Sequence, residues 1–166
     1  MDEDVVRYST PSIPELADLY HRRFQRFLRV AEAITGDLDA ARDAVQEAFA
    51  RAITHRADYR GEGSLESWVW SCVVNTARSQ TNRRELPVAE PPELASDPQA
   101  GAADPTLAEI IGSLPERQRH VLFLRYYADL DYRAIAAALE IEVGTVGATL
   151  HNAHATLRGL LEEVRK

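Results

Sequence analysis

Polar side chains recur at helical spacing in the segment 65–84 and suit contact with a nucleic acid. Intervals of four, three and four residues place one set of them on a single stripe of a helix. The stripe consists of Ser71, Asn75, Arg78 and Asn82, with Arg83 and Arg84 at its end. Hydroxyl, amide and guanidinium groups hydrogen-bond both to base edges and to phosphates. We therefore interpret this stripe as a candidate nucleic-acid contact.

The loop sequence YRGEGS precedes that helix and contains Gly61 and Gly63. Glycine adopts backbone angles that are closed to other residues. An open loop beside a polar helix can therefore hold an unstacked base. The same composition is typical of a plain connection between two helices, so the loop alone leaves both interpretations open.

A second polar face lies on the helix predicted from Asp39 to His55. On this helix Asp43, Gln46 and Glu47 fall on the side away from the apolar positions. This face offers hydrogen-bonding groups to another protein. A solvated face has the same pattern and is the competing interpretation.

The segment 114–161 has the pattern of a helix-turn-helix. Asp131 can cap a short helix, and a four-residue break at 140–143 separates this helix from a longer one. The longer helix repeats apolar residues at Val146, Leu150, Ala153 and Leu157, which predicts its buried side. The residues then expected to face outward are Thr145, Ala148, Thr149 and Asn152. They are candidates for reading a DNA groove, although helical bundles that never contact DNA share the pattern.

The longer helix carries little charge for a DNA reader. Between Val143 and Leu157 there is no Lys or Arg, and only His151 and His154 can titrate. Attraction between phosphates and Lys or Arg supplies most non-specific affinity for DNA. Histidine with an unperturbed pKa of about 6.5 is mostly neutral at pH 7. We therefore expect this helix to bind DNA weakly.

The helical periods predict an all-α fold of two small helical domains joined by a flexible linker. The domains span 12–86 and 104–166, and the linker over 87–103 is acidic and rich in Pro and Ala. Because the linker has no amphipathic period, we expect it to be extended and mobile. In the second domain, Asp104 and Pro105 are expected to begin the first helix.

Three helices are predicted in the first domain. The first is expected to end at Gly36, because glycine favours the left-handed conformation that terminates helices. One of the two aspartates that follow is expected to cap the second helix. In the third helix, the apolar period places Trp68 in the core and leaves Trp70 and Val74 for a second packing contact, either with the first helix or with a partner.

Composition limits the classes of function. The 166-residue chain has a formal net charge of −7 at pH 7, which argues against a generic binder of polyanions. One cysteine, Cys72, excludes an internal disulfide and a cysteine zinc cluster. No apolar run approaches the ~20 residues of a membrane span, and the first residues lack a signal layout. We expect a cytoplasmic protein without direct membrane insertion.

The residues required for catalysis do not form a recognisable set. No nucleophile–base pair, phosphate-binding loop or metal-spaced cluster occurs in the sequence. His151 and His154 lie three residues apart, but nothing nearby completes a metal site. We therefore predict a protein that is not an enzyme, with no metal, no cofactor and no small-molecule substrate.

Three segments of the chain together point to one family. They read GDLDAARDAVQEAFARAI, YRGEGSLESWVWSCVVNTARSQTNRR and LPERQRHVLFLRYYADLDYRAIAAALEIEVGTVGATL. In this order they resemble the extracytoplasmic-function sigma factors, the small two-domain class of the sigma-70 family of bacterial RNA polymerase subunits. The resemblance covers about 15–86 and 106–163, and three such motifs in order are highly specific.

The resemblance implies a factor that binds core RNA polymerase, directs it to promoters and helps open them. Asp43, Gln46 and Glu47 would face the clamp helices of the largest subunit, and the polymerase flap would be a further contact. The residues implied at the −10 element are Tyr59, Arg60, Gly61, Ser64, Ser71, Asn75, Arg78, Asn82, Arg83 and Arg84. Those implied at the −35 element are Tyr132, Arg133, Thr145, Gly147, Ala148, Thr149, His151 and Asn152.

An anti-sigma factor is a further implied partner. Two domains on a flexible linker are expected to leave their working faces open to a clamp-like protein.

The chain departs from the family pattern in the second domain. Where many members read TVKSRLHRAR, this chain reads TVGATLHNAH. The positions without the usual basic residue are Gly147, Thr149, Asn152 and His154. Each lost phosphate contact lowers the log–log salt slope of DNA binding by about 0.9. In the turn, Glu140 replaces a common Gly and is expected to be strained if its φ is positive.

Two other functions stay open at this point. A sigma-like interaction module binds polymerase or an anti-sigma factor but has weakened independent −35 recognition, and Gly147, Thr149 and Asn152 favour it. An ordinary helix-turn-helix regulator acting as a dimer is disfavoured, because the first domain has the polymerase-binding pattern.

Overall fold

Apolar stripes at helical period give the chain seven α-helices over the ranges that the structure describes. The structure is a computed structural model, which describes residues 9–84 and 107–164. The helices are α1 Ile13–Thr35, α2 Leu38–Thr54, α3 Leu65–Arg84, α4 Leu107–Gly112, α5 Glu116–Tyr126, α6 Tyr132–Leu139 and α7 Val143–Val164. These ranges contain no β-strand, so the all-α prediction is confirmed. The predicted linker at 87–103 and the predicted helix start at Asp104 lie outside the described residues.

Local capping fixes the helix ends of the N-terminal half. Ser12 Oγ accepts a hydrogen bond from Glu15 N at 3.3 Å, and the Glu15 carboxylate accepts one from Ser12 N at 2.8 Å. This capping box begins α1. Gly36 ends α1 with a φ of 73°, as predicted. Asp37 then caps α2, its carboxylate accepting a hydrogen bond from Ala40 N at 2.7 Å.

α1, α2 and α3 pack pairwise around an apolar core. The ring centroids of Phe27 and Trp70 lie 4.3 Å apart in it. Trp70 and Val74 are fully buried, whereas Trp68 is half-buried beside Tyr59. The prediction that Trp68 lies in the core is therefore wrong, whereas the predicted packing of Trp70 against the first helix is confirmed by its contact with Phe27. Because helices pack on more than one side of α3, a single apolar stripe does not identify its core face.

The C-terminal half contains the predicted helix-turn-helix. Asp131 caps α6 by accepting a hydrogen bond from Ala134 N at 2.8 Å, and the axes of α6 and α7 bend by 99°. Ile135 and Val146 are fully buried in the core shared by these helices. Glu140 ends α6 with a φ of 56°. The strain expected for a non-glycine residue in this turn is therefore present.

The two halves pack against each other. α6 lies against α3, and α5 lies against α1. Arg78 on α3 donates a hydrogen bond to the Leu139 carbonyl at 3.3 Å, and Arg119 on α5 donates one to the Ala33 carbonyl at 3.2 Å. The expectation that the linker leaves every working face open is therefore wrong for α3, because α6 packs against this helix.

Over the described ranges, no single helix is both long and apolar enough to cross a membrane. Only α6 and α7 taken together, across their bend, reach the required length and composition. Apolar side chains of this pair, including Ile135, Val146 and Leu150, lie in the protein core.

Candidate nucleic-acid interface

The polar stripe of α3 is shielded along part of its length. Ser71, Asn75 and Arg78 are half-buried, whereas Asn82 near the end of the helix is exposed, as are Arg83 and Arg84. Ser71 Oγ donates a hydrogen bond to the Ser67 carbonyl at 3.3 Å within the helix. Arg78 Nη1 instead reaches across to the carbonyl that ends α6. The sequence pattern placed these residues on one face, but it did not indicate that α6 packs there.

The loop before α3 has a defined conformation. Gly61 and Gly63 have φ angles of 70° and 93°, which glycine adopts at low cost. Tyr59 donates its phenolic hydrogen to the Gly63 carbonyl at 2.8 Å. Ser64 Oγ accepts a hydrogen bond from Ser67 N at 3.0 Å, as an N-cap does. Ser64 therefore positions the helix start, a role that its place just before an apolar helical period already suggested.

A cleft of about 750 Å³ lies between this loop and α6. Its lining residues from the N-terminal half include Tyr59, Arg60, Ser64, Trp68 and Ser71. From the C-terminal half they are Asp131, Arg133, Ala134 and Ala137. The predicted −10 loop and the predicted −35 motif therefore share one cavity, which no local sequence pattern indicated.

The surface of the helix-turn-helix holds most of the predicted −35 residues. Tyr132, Arg133, Ala148, His151 and Asn152 are exposed. Thr145 and Gly147 are half-buried. A Cβ atom added at Gly147 would meet Tyr132 Cε2 at 3.6 Å, which is an ordinary van der Waals contact. A Cβ atom therefore fits at this position without a clash.

Thr149 is not on that surface, and its predicted outward orientation is wrong. Only 8% of the residue is exposed. Position 149 follows Val146 by three residues and precedes Ala153 by four, so it shares the inward face of α7. The burial of Thr149 could therefore have been predicted from the spacing. The buried face of α7 is wider than the stripe of Val146, Leu150, Ala153 and Leu157 that the sequence analysis identified.

A pair that the sequence did not indicate lies beside α7. Tyr126 Oη and His154 Nε2 are 2.9 Å apart and share a hydrogen bond. Tyr126 is 61% exposed and Tyr127 is 50% exposed. Both tyrosines line an apolar groove of about 340 Å³ between α5 and α7. The remaining lining residues are Ile111, Leu122, Phe123, His154 and Leu157.

The polar face of α2 is accessible. Asp43 and Gln46 are exposed, and Glu47 is half-buried. Glu47 pairs with Arg51 at 2.6 Å and accepts a hydrogen bond from Gln80 Nε2 at 3.1 Å. Glu47 is therefore held in place by neighbours on α2 and α3, whereas Gln46 projects from the surface.

A buried histidine lies where the halves meet. His120 is 3% exposed and lines a cavity of about 290 Å³ together with Arg78 and Leu139. Burial lowers the pKa of His120 to about 4; Glu116 opposes this shift, and Arg119 acts with burial. The neutral form therefore prevails at pH 7.

Within residues 9–84 and 107–164, no group of three His, Cys, Asp or Glu side chains could hold a metal ion. The arrangement of exposed polar faces and a helix-turn-helix supports binding of protein and nucleic acid. His151 and His154 on α7 are not part of such a group, and His154 is hydrogen-bonded to Tyr126.

Both halves match families of known proteins. Residues 19–85 match Sigma-70 region 2, and residues 106–157 match Sigma-70, region 4. The first range contains α2, α3 and the loop between them, and the second contains α6 and the first two thirds of α7.

Whole-chain relatives share these two regions. The RNA polymerase sigma factor YlaC of Bacillus subtilis (strain 168) is 24% identical, over 91% of this chain and 94% of YlaC. The RNA polymerase sigma-E factor of Streptomyces coelicolor is 27% identical, over 87% of this chain and 84% of the relative. Among solved structures, the sigma factor RpoE of Bartonella quintana, in complex with the anti-sigma factor NepR, matches with a TM-score of 0.66. That match has 21% identity and covers 87% of this chain and 97% of the other, and it shows a shared fold.

Proposed function

The chain belongs to the sigma-70 family, as one of its extracytoplasmic-function sigma factors, and from this premise we propose how it acts. It binds core RNA polymerase in the cytoplasm, directs the enzyme to particular promoters and helps open their −10 element. It acts by binding, without catalysis of its own and without a cofactor. The observation that carries the proposal is the presence of sigma regions 2 and 4, in order, on one chain.

The polar face of α2 is the proposed contact with the clamp helices of the largest polymerase subunit. Asp43 and Gln46 are exposed there, so they can be desolvated against a partner without opening the core. Glu47 is pre-positioned by Arg51 and Gln80. A side chain already held in one geometry loses less entropy when it binds.

The apolar groove between α5 and α7 is the proposed contact with the polymerase flap. Tyr126 and Tyr127 border it and are the most exposed aromatic side chains of the described residues. Exposed aromatic residues around an apolar depression are typical of a site for an apolar helix. The lining residues of this groove belong to the C-terminal half, whereas the proposed clamp contact on α2 belongs to the N-terminal half.

The loop at 59–64 and the stripe of α3 are the proposed −10 site. Arg60 is exposed at the cleft, and Arg83 with Arg84 lies exposed at the end of α3, where guanidinium groups can contact phosphates. The stripe residues Asn75 and Arg78 provide hydrogen bonds to bases. The cleft of about 750 Å³ has room for an unstacked base beside Trp68.

The exposed part of the helix-turn-helix is the proposed −35 site. Ala148, His151 and Asn152 project from α7, and Tyr132 with Arg133 projects from the start of α6. Arg133 is the one side chain among these with a permanent positive charge. Recognition therefore depends on groove shape and on Asn152 more than on phosphate attraction.

A regulatory partner is the last element of the proposal. The Bartonella quintana relative is described in complex with an anti-sigma factor, and this chain shares its fold. We place an anti-sigma factor among the partners of this chain, in addition to core polymerase and promoter DNA.

One observation favours a second candidate, a sigma-like interaction module. No Lys or Arg lies between Val143 and Leu157, and the exposed positions Ala148, His151 and Asn152 of α7 lie within this range. In this case the second half serves protein contacts, and −35 recognition is weak.

In vitro transcription separates the two candidates. Genomic DNA of the source bacterium is transcribed with purified core polymerase, with and without the protein, and the 5′ ends are sequenced. Transcripts that require the protein and share upstream elements at −10 and −35 are expected. Binding to core polymerase without new transcripts would favour the interaction module, and absence of both would refute a sigma function.

A further inference from the structure

A small cavity beside α5 contains a buried histidine that no other part of the function uses. The cavity has a volume of about 290 Å³ and is bordered by α3, α5, the end of α6 and the turn that follows α6. Its lining residues are Arg78, Glu116, Arg117, His120, Leu139 and Ile141. Pockets for small ligands begin at about 300 Å³, so the cavity has the size for a small molecule.

The side chain of His120 has a polar atom that a ligand would satisfy. Only 4% of this side chain is exposed, and its Nε2 atom is buried without a hydrogen-bond partner among the described residues. Nε2 lies 3.8 Å from Glu116 Oε1, which is too far for a hydrogen bond. Because Glu116 also lines the cavity, Nε2 is on the cavity side of the imidazole ring. Native proteins rarely leave a buried polar atom unpaired.

Two guanidinium groups give the cavity a positive charge. Arg78 donates from Nη1 to the Leu139 carbonyl at 3.3 Å, and a guanidinium has further N–H groups to donate. Arg117 is exposed and makes no hydrogen bond or ion pair within residues 9–84 and 107–164. Burial keeps the pKa of His120 at about 4, so this ring is neutral at pH 7 and can donate a hydrogen from Nε2. Among the lining residues, two arginines therefore stand against one carboxylate.

The beginning of α5 adds further donors. Its N-cap residue is Pro115, and no side chain caps its first N–H groups. Uncapped N–H groups and the positive end of the helix dipole attract anions. Glu116 and Arg117 are the first two residues of α5, and both line the cavity. The helix start, the two guanidinium groups and His120 therefore border the same small space.

Glu116 is the one feature of the lining that opposes an anion. Its side chain is 69% exposed, so the carboxylate can turn into solvent at low cost. While it stays beside His120, its negative charge reduces the affinity of the cavity for an anion. Removal of this charge is therefore expected to strengthen binding, which gives a test of opposite sign to the loss of an arginine.

We propose that this cavity binds the phosphate group of a small molecule, with Arg78 and Arg117 contacting its oxygen atoms and His120 Nε2 donating to it. Guanidinium groups suit phosphate because each can donate parallel N–H···O bonds to it. Leu139 and Ile141 provide apolar contacts for the carbon atoms of a phosphate monoester. Arg78 also belongs to the proposed −10 stripe, so it is left unchanged in the variants that test the site.

A titration of the ¹⁵N-labelled full-length protein with inorganic phosphate tests the site. Ionic strength is held constant with sodium chloride at pH 7, and NMR spectra follow the His120 imidazole and the backbone amides of residues 116–119. Saturable shifts at these positions, with a single dissociation constant, are expected. Shifts that do not saturate, or that spread equally over the exposed arginines, would indicate an adventitious ion only and would overturn the proposal.

Charge variants with matched controls provide the second arm. Arg117→Gln is expected to weaken phosphate binding about tenfold, because it removes a charge-assisted hydrogen bond. Arg158→Gln, at an exposed position of α7, loses the same charge elsewhere and is expected to bind as the wild-type protein does. Equal affinities of the two variants would overturn the proposal.

The carboxylate variant changes the affinity in the opposite direction. Glu116→Gln is expected to tighten binding about fivefold, as removal of a nearby like charge in solvent-exposed surroundings implies. Glu163→Gln, at an exposed position of α7, is its control. Unchanged affinity of Glu116→Gln relative to this control would place the phosphate away from His120 and would overturn the proposal.

Glycerol 3-phosphate separates the two sources of the same group. Tighter binding than that of inorganic phosphate identifies a phosphorylated small molecule, and equal binding identifies the free ion; both results support the site. If a short single-stranded oligonucleotide shifts the His120 signals while both small phosphates leave them unchanged, the proposal is overturned in favour of a nucleic-acid contact. Neither polymerase nor promoter DNA enters these titrations, so their outcome is independent of the proposed function.

Discussion

At the scale of single residues, His120 connects stability to pH. The side chain is almost fully buried between the halves, and its pKa is lowered to about 4 chiefly because burial disfavours the charged form. Glu116 lies 3.8 Å from His120 Nε2 and raises the pKa, but Arg119 and Arg78 act in the opposite direction. Because the unfolded chain binds a proton near pH 6.5, the folded state holds fewer protons between pH 6.5 and 4.

The first prediction follows from this difference. The contribution of neutral His120 to stability is fully present above about pH 6.5 and is lost as the pH falls toward 4, by about 2–3 kcal/mol. Urea unfolding at pH 7 and pH 4.5 measures the loss. His120→Phe, which cannot take up a proton, is expected to lose less stability over the same interval. Parallel losses in the two proteins would show that other groups cause the pH dependence.

A second prediction concerns Gln46. Gln46 is exposed, while the neighbouring Glu47 is engaged with Arg51 and Gln80, so a change at Gln46 tests the surface without disturbing the fold. Gln46→Arg is expected to weaken binding to core polymerase about tenfold, or about 1.4 kcal/mol. Fluorescence titration gives the affinity. Ala17→Arg, on an exposed part of α1, is the control, and equal affinities for the two variants would remove α2 from the interface.

At the scale of helices, α7 lacks the basic residues of the family pattern, although exposed positions on it could accept them. Ala148 is exposed, and a Cβ atom at Gly147 fits beside Tyr132. Thr149, by contrast, points inward, so arginine there would bury a charge and damage the domain. Charge can therefore be restored at Gly147 and added at the exposed neighbouring position Ala148.

The third prediction uses this pair. Gly147→Lys with Ala148→Lys is expected to tighten binding to a −35 duplex and to steepen the log–log salt dependence by about 0.9 for each new phosphate contact. Fluorescence anisotropy over a series of salt concentrations measures both. Gly147→Ala is the control, because loss of glycine alone stabilises a helix by about 1 kcal/mol. An unchanged slope in the lysine variant would mean that α7 does not lie along a phosphate backbone.

The fourth prediction concerns the turn of the helix-turn-helix. Glu140 has a φ of 56°, a left-handed conformation that costs a non-glycine residue about 1 kcal/mol. Glu140→Gly is therefore expected to raise the free energy of unfolding by about that amount. Ala137→Gly, in the exposed middle of α6, is expected to lower it by about 1 kcal/mol. Urea denaturation compares them, and destabilisation by both substitutions would show that Glu140 is not strained.

At the scale of the whole molecule, the two halves pack against each other. α3 contacts α6, and α1 contacts α5. Buried residues of both halves belong to a continuous core, which includes Trp70 on one side and Ile135 on the other. Such coupling favours cooperative unfolding.

The last prediction follows from that coupling. The wild-type protein is expected to unfold in one thermal transition, because loss of either half exposes apolar surface of the other. Ala134 on α6 lines the cleft that also contains Trp68 and Ser71 of α3, so Ala134→Glu is expected to weaken this contact and to give two transitions or one broader transition. Calorimetry measures the ratio of van't Hoff to calorimetric enthalpy. A ratio well below one for the wild-type protein would argue against the coupling.

The sequence by itself determined the features that depend on neighbours along the chain. Gly36 and Asp131 each act at helix ends as their residue types indicated, because capping and left-handed turns are local. The order of the motifs was likewise sufficient to indicate the family.

Tertiary structure alone decided which sides of the helices are covered. Trp70 is buried and Trp68 half-buried because α3 is packed on more than one side, and Thr149 is buried because the inward face of α7 is wide. The contact of Arg78 with Leu139 joins residues far apart in sequence, with the predicted linker between them. Helical periodicity gives the direction in which a side chain points from the axis of its own helix. It does not indicate which distant helix packs on that side.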